Sequence, residues 1–276
     1  MRPPPERPDV SDEDRRDTLE YNRAAWDRQV EQGNMWTVPV DADQIGAARR
    51  GEWSVVLVGQ TPTPRDWFPA ALDGVALLCL ASGGGQQGPI LAAAGARVTV
   101  FDNSPNQLAQ DRAVSDAHDL GIRTVQGDMA DLSAFKDESF DLVFHPVSNV
   151  FAADVRPVWR EVSRVLRDGG ALLAGFMNPM TFIFDWAHAD RSGELRVRYS
   201  LPFDQERDLP ADELAAARER GEPMEFSHSL ATQIGGQLEA GLRLTHLEEA
   251  PRGSDEEQDP LGAFAPTYIS TRAEKC

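Results

Sequence analysis

Residues 75–102 read VALLCLASGGGQQGPILAAAGARVTVFD. VALLCL, 75 to 80, is an apolar run of strand length, and ARVTVF, which ends at Asp102, is a second. Between them stand a glycine-rich turn, ASGGGQQG (81–88), and an alanine-rich helix from about 87 to 94. Strand, turn, helix and strand make a βαβ unit. A glycine turn at that place lets the backbone approach a ligand and adopt positive φ, while the next helix offers free N–H groups. Gly83, Gly85 and Gly88 satisfy GxGxxG, and Asp102 lies 19 residues beyond Gly83. A carboxylate there accepts both hydroxyls of an adenosine ribose.

Working outward, the alternation continues. A helix is expected from 104 to about 119, then a short strand RTVQ, an acidic turn at Asp128, a strand FDLVFH, a helix around 155 to 166, a Gly-Gly turn and the strand ALLAGFM. This predicts an α/β fold, a Rossmann-like, doubly wound, mostly parallel sheet of seven strands. LRLTHLEE and PTYISTR follow each other with only an acidic loop, GSDEEQDP, between them, so they form an antiparallel hairpin at the sheet edge.

The main domain is therefore 75–276. Residues 179–228, acidic, Arg-rich and Pro-containing, interrupt the rhythm and read as a partly helical cap over the carboxyl edge of the sheet; a helix near IGGQLEAG resumes the order. Residues 13–74 form an N-terminal extension or lid: an amphipathic helix from about 14 to 32, an extended connector GNMWTVPV, and a Pro-rich stretch TPTPRDWFP. Residues 1–12 carry too little apolar surface to offset the entropy of ordering and read as a disordered tail.

Composition narrows the function. With 45 acidic against 27 basic residues the net charge is −18, which disfavours a nucleic-acid partner. Two cysteines, Cys79 and Cys276, provide neither a disulfide framework nor a thiolate metal site, and the histidines have no metal-ligand spacing, so no metal is expected. No segment has the roughly 20 apolar residues of a membrane span, which points to a cytoplasmic protein without membrane contact. Oligomeric state leaves no mark on the sequence.

Taken by themselves, the glycine turn and Asp102 suit a nicotinamide dinucleotide and S-adenosylmethionine equally. The run ALLCLASGGGQQGPILAAAGARVTVFDNSPNQLAQDR, then QGDMADLSAF, FDLVFHPVSNVF and RVLRDGGALLAGF, resembles the successive motifs of class I S-adenosylmethionine-dependent methyltransferases, most closely the small-molecule methyltransferase type 11 group, over residues 75–178. The resemblance implies methyl transfer to a small-molecule acceptor by in-line displacement. It also implies that Ser82, Gly83, Gly84 and Gly85 lie along the methionyl and ribose portion, with Asp102 on the ribose hydroxyls. Asn103 and Gln107 then flank the adenine, Asp128 and the Met129 N–H read its edge, and a carbonyl of Phe144 or His145 faces the ammonium. Cys79 and Ala81 depart from the family, which often has an acid and a glycine at these places.

Acceptor residues are less legible. A sulfonium is an activated leaving group, so alignment and exclusion of water can suffice without a base. His145, at the carboxyl end of a core strand, is the candidate base if one exists. Ser148 and Asn149 either orient an acceptor or cap the next helix. Tyr21, Trp26 and Trp36 either cover the site, where an aromatic face favours a cation, or pack the extension on the core. His228, returning from the cap, is a further pocket candidate. Two other reactions stay open: an intramolecular displacement that releases methylthioadenosine, and a nicotinamide-dependent reduction.

Overall fold

The computed structural model describes residues 12–251 and 260–276. The disordered tail expected at 1–12, apart from residue 12, and most of the acidic loop at 253–260 lie outside the described residues.

Helix α1, Asp12–Glu31, is followed by a 3-10 turn at Met35–Thr37 and by α2, Ala42–Arg49. Asp41 and Gln44 close a capping box on α2, each satisfying a backbone N–H of the other. A two-stranded ribbon, β1 (Val56–Val58) and β2 (Thr61–Pro62), completes the extension. The main sheet starts with β3, Ala76–Leu80, all of it buried. Then come α3 (Gln87–Ala93), β4 (Arg97–Asp102), α4 (Pro105–His118), β5 (Arg123–Gln126), β6 (Phe140–His145), α5 (Arg156–Val165) and β7 (Leu166–Met177). The cap holds α6 (Trp186–Ser192), α7 (Gln205–Asp208) and α8 (Ala211–Arg220). A π turn at Ala231–Gly235 runs into α9 (Gly236–Glu239), and β8 (Leu242–Ala250) and β9 (Tyr268–Lys275) finish the chain.

The seven strands lie in the order β5-β4-β3-β6-β7-β9-β8. The first four pairings are parallel, whereas β9 is antiparallel to both β7 and β8, which is the expected edge hairpin. Because the chain moves outward from β3 in one direction and returns to β6 on its other side, the strand order reverses between β3 and β6. Ligands of open α/β sheets lie at such a reversal, beyond the carboxyl ends of the strands.

Each face of the sheet has its own core. Leu77, Cys79, Val100, Leu142 and Phe144 point to the face covered by α3 and α4, and Leu78, Leu80, Phe101, Val143 and Leu172 to the face covered by α5. The extension divides in two. Its later part, with Ala48, Val55, Leu57, Trp67, Phe68 and Leu72, is packed into the first of these cores. There is no space between ribbon and sheet: a Cβ on Gly175 of β7 would come within 2.5 Å of the Leu57 carbonyl oxygen. Only α1 and the segment after it stand over the carboxyl edge.

Candidate active site

The turn after β3 is built around two carboxylates. Asp102, the last residue of β4, accepts the Gly83 N–H on Oδ2 at 2.9 Å and the Ser104 N–H on Oδ1 at 2.9 Å. Ser104 in turn caps α4 by accepting from the Gln107 N–H. Asp111, on the inward stripe of α4 with Leu108 and Ser115, accepts the Gly84 N–H at 3.0 Å. Burial pushes both acids up, Asp102 against the pull of its backbone donors and Asp111 to about 7.

This turn accepts no side chains. A Cβ on Gly83 would come within 2.7 Å of the Gln107 Cβ, and Gly84 has φ +112° with the Trp36 carbonyl 2.9 Å from its missing Cβ. Ala81 also has positive φ, +46°, without being a glycine. The segment 35–40 lies on the turn: Gln86 Nε2 donates to the Met35 and Val38 carbonyls, and the Val40 N–H to the Gly85 carbonyl.

A cavity of about 130 Å³ opens beside the turn at the strand-order reversal. Its floor is Ala81, Asp102, Asn103, Gln107 and the Gly127–Ala130 turn after β5, numbered 127 to 130; its far side is Ser148 and 151–154 after β6. Arg15, Thr18, Leu19, Asn22 and Trp26 of α1 close it. The helix is tied down along its length. Asn103 Nδ2 donates to the Leu19 carbonyl, the Ser104 hydroxyl donates to Asp27, and Asn22 exchanges hydrogen bonds with Met224 of the cap. Trp26 meets Phe151 edge-on at 5.2 Å. Asp128, raised by burial, accepts the Ala130 N–H at 3.0 Å.

Among the residues singled out in the sequence, the fold brings Trp26, Asp102, Asn103, Gln107, Asp128, Met129 and Ser148 to one cavity. Gly83, Gly84 and Gly85 form the adjoining turn, with the Ser82 hydroxyl buried in it and without a partner. Others it places elsewhere. His145 is fully buried on the α5 side of the sheet, edge-on to Trp159 at 5.9 Å, and its Nδ1 bonds the Leu80 carbonyl at 2.9 Å. Burial lowers it to about 4. The ring therefore fastens the end of β3, and its Nδ1 lies 3.4 Å from the hydroxyl of Ser148, which lines the cavity. Tyr21 donates to the Glu222 carbonyl of the cap, and Trp36 is half-exposed over the glycine turn. Asn149 pairs reciprocally with Gln233, and His228 Nε2 lies 2.9 Å from the Ala152 carbonyl. None of these four lines the cavity.

Comparison with known proteins decides the family. Residues 78–174 match the model described as "Methyltransferase domain". The chain is 47% identical over 255 residues, 92% of its length and 97% of the relative's, to the "Uncharacterized methyltransferase YbaJ" of Bacillus subtilis (strain 168). The chain belongs to the methyltransferases. An S-adenosylmethionine-dependent methyltransferase from Mesorhizobium loti shares the fold at a TM-score of 0.59 and 19% identity, covering 76% of this chain and 95% of that one. So does geranyl diphosphate C-methyltransferase from Streptomyces coelicolor A3(2), solved with Mg2+, geranyl diphosphate and S-adenosyl-L-homocysteine, at 0.52 and 13%, covering 76% of each chain.

This methyltransferase is of the class I, Rossmann-like type, and S-adenosylmethionine is its cofactor. The nicotinamide alternative falls with that membership. The polar groups of the methyltransferase site fit the cofactor's nucleoside. Asp102 keeps acceptor capacity beyond its backbone bonds, and the Gln107 Oε1 and Ser82 Oγ are buried without partners. Asp111 and Arg15 escaped the sequence reading. Asp111 had a signal, an acid in the stripe 108, 111, 115 that α4 turns to the core; Arg15 had none beyond its place on an amphipathic helix. Among the described residues no helix is long and apolar enough to cross a membrane, and no cluster of metal-ligating side chains is present.

Proposed function

We propose that the protein methylates a small-molecule acceptor in the cytoplasm by in-line displacement, with the adenosine of its cofactor in the cavity beneath α1. The observation that supports this most is the convergence of Asp102, Asn103, Gln107, Asp128 and Met129 on one cavity at the strand-order reversal. Asp102 takes the ribose hydroxyls, Asp128 and Met129 the adenine edge, and the Ser82–Gly85 turn, numbered 82 to 85, the methionyl end. When bound, S-adenosylmethionine supplies a methyl group on a sulfonium, transferred to a lone pair aligned opposite the departing sulfur.

The chain's own part is to align and to exclude water. Trp26, Ser148 and Phe151 stand where the acceptor enters, and Trp26 offers an aromatic face to a cation. His145 has no direct part in proton transfer in this reading: its Nδ1 is engaged by the Leu80 carbonyl and meets the cavity only through the Ser148 hydroxyl, 3.4 Å away, and its Nε2 is buried without a partner. A small acceptor follows from the enclosure by α1, and from a charge of −18, which repels nucleic acid. The cavity of about 130 Å³ is below the roughly 300–1,000 Å³ of ligand sites, so α1, which closes it, moves outward to admit cofactor and acceptor.

The test is incubation with methyl-labelled S-adenosylmethionine and fractionated metabolites. The proposal requires S-adenosylhomocysteine and a labelled small molecule in equal amounts. Release of methylthioadenosine, or label carried only by a macromolecule, contradicts it.

A further inference from the structure

Asp111 is fully buried, one layer beneath the cavity rather than on its wall. Its Oδ2 accepts the Gly84 N–H, the Gly85 N–H also bonds the carboxyl, and its Oδ1 has no partner. The groups facing it are unhelpful to a charge. Asp102, at the end of β4, is the nearest other acid and repels it; Cys79, on β3, is a thiol held neutral by burial. No cation is paired with it among the described residues. An unpaired buried carboxyl with a free oxygen is a costly thing to retain, and apolar packing in its place would be more stable. The turn it holds is the one that lies along the cofactor's methionyl, cationic end in the proposed reading, on which this inference rests.

We propose that Asp111 is the positioning residue of the cofactor's methionyl end: it holds the glycine turn through the Gly84 amide and becomes the buried counter-charge when the cationic cofactor binds. Without ligand the carboxyl exchanges its proton near neutrality, since burial has raised it to about 7. A cation over the turn favours the charged form, so binding expels the proton and tightens as pH rises.

The test is calorimetric titration of S-adenosylmethionine into the wild type and Asp111→Asn at about pH 6 and about pH 8. The amide keeps an acceptor for the Gly84 N–H but cannot ionise, and the cofactor's own amine titrates identically against both proteins. Wild-type affinity is expected to rise about tenfold relative to the variant across this range, because the carboxylate goes from about one-tenth to about nine-tenths populated. Parallel pH profiles overturn the proposal. A second readout needs no variant: carbon-13 NMR of the wild-type Asp carboxyls should show a resonance that titrates near neutrality and moves down by about one pH unit or more on saturation with S-adenosylmethionine. An unmoved titration overturns the proposal even if Asp111→Asn fails to fold. A wild type that binds no S-adenosylmethionine at either pH refutes the underlying cofactor site instead.

Discussion

Asp102 accepts a backbone N–H on each of its two oxygens before any ligand arrives. It is therefore oriented in advance, and from a buried position it lines the cavity with acceptor capacity to spare. Replacing it with Ala removes both ribose contacts and orphans the Gly83 and Ser104 amides, so S-adenosylhomocysteine affinity should fall by about two orders of magnitude and stability by about 1–3 kcal/mol. Calorimetry and urea melts read the two effects separately. Ala81 makes the opposite prediction. An alanine at φ +46° sits in the left-handed region at a cost of about 1–2 kcal/mol, so Ala81→Gly should raise the urea midpoint without weakening the cofactor site. The glycine turn and Asp102 were plain in the sequence, because their spacing from the two strands is local. The direction of His145 was not. A strand alternates its faces, and only the register of β6 against β3 reveals that residue 145 turns toward Trp159 rather than the cavity.

At the scale of elements, α1 decides access. It is long, sparsely apolar and attached by side-chain bonds to α4, the 151–154 turn and the cap rather than by a packed core. Such an element opens at lower free energy than the sheet beneath it. Amide exchange should therefore be faster in residues 15–27 than in β3, β4 and β6, and S-adenosylhomocysteine should slow it there while leaving the strands unchanged. Equal protection in helix and sheet before ligand would refute the lid. The strands β3, β4, β6 and β7 were legible from their apolar runs, and β5, β8 and β9 from their place in the alternation. The ribbon of β1 and β2 and the helix α2 were not, although Asp41 and Gln44 bear the spacing of a capping box. The ribbon is three residues against two, too short for a periodic signal, and what fixes it is tertiary: Leu57 and Val58 pressed on Gly175.

For the whole molecule, two buried groups set opposing slopes in stability against pH. His145 is lowered to about 4, so between that value and its ordinary 6.5 the unfolded chain binds the extra proton, and stability falls as pH falls through this window. Asp111 is raised to about 7 from 3.8, so between those values the folded chain holds the extra proton, and stability falls as pH rises. The slopes offset each other in the wild type. Relative to it, His145→Gln should gain stability as pH drops from 6.5 toward 4, and Asp111→Asn should gain as pH rises toward 7 and hold that gain above it, each by roughly 3–4 kcal/mol in urea melts. Variants that track the wild type at every pH would remove these residues from the electrostatic account.

All of this depends on where the nucleoside lies. A crystal structure with S-adenosylhomocysteine is the most direct measurement: the ribose hydroxyls should contact both Asp102 oxygens, with the adenine between Asn103 and Met129 and α1 closed above it. Density for the nucleoside elsewhere, or an Asp102 carboxylate that touches only Gly83 and Ser104, would contradict the site.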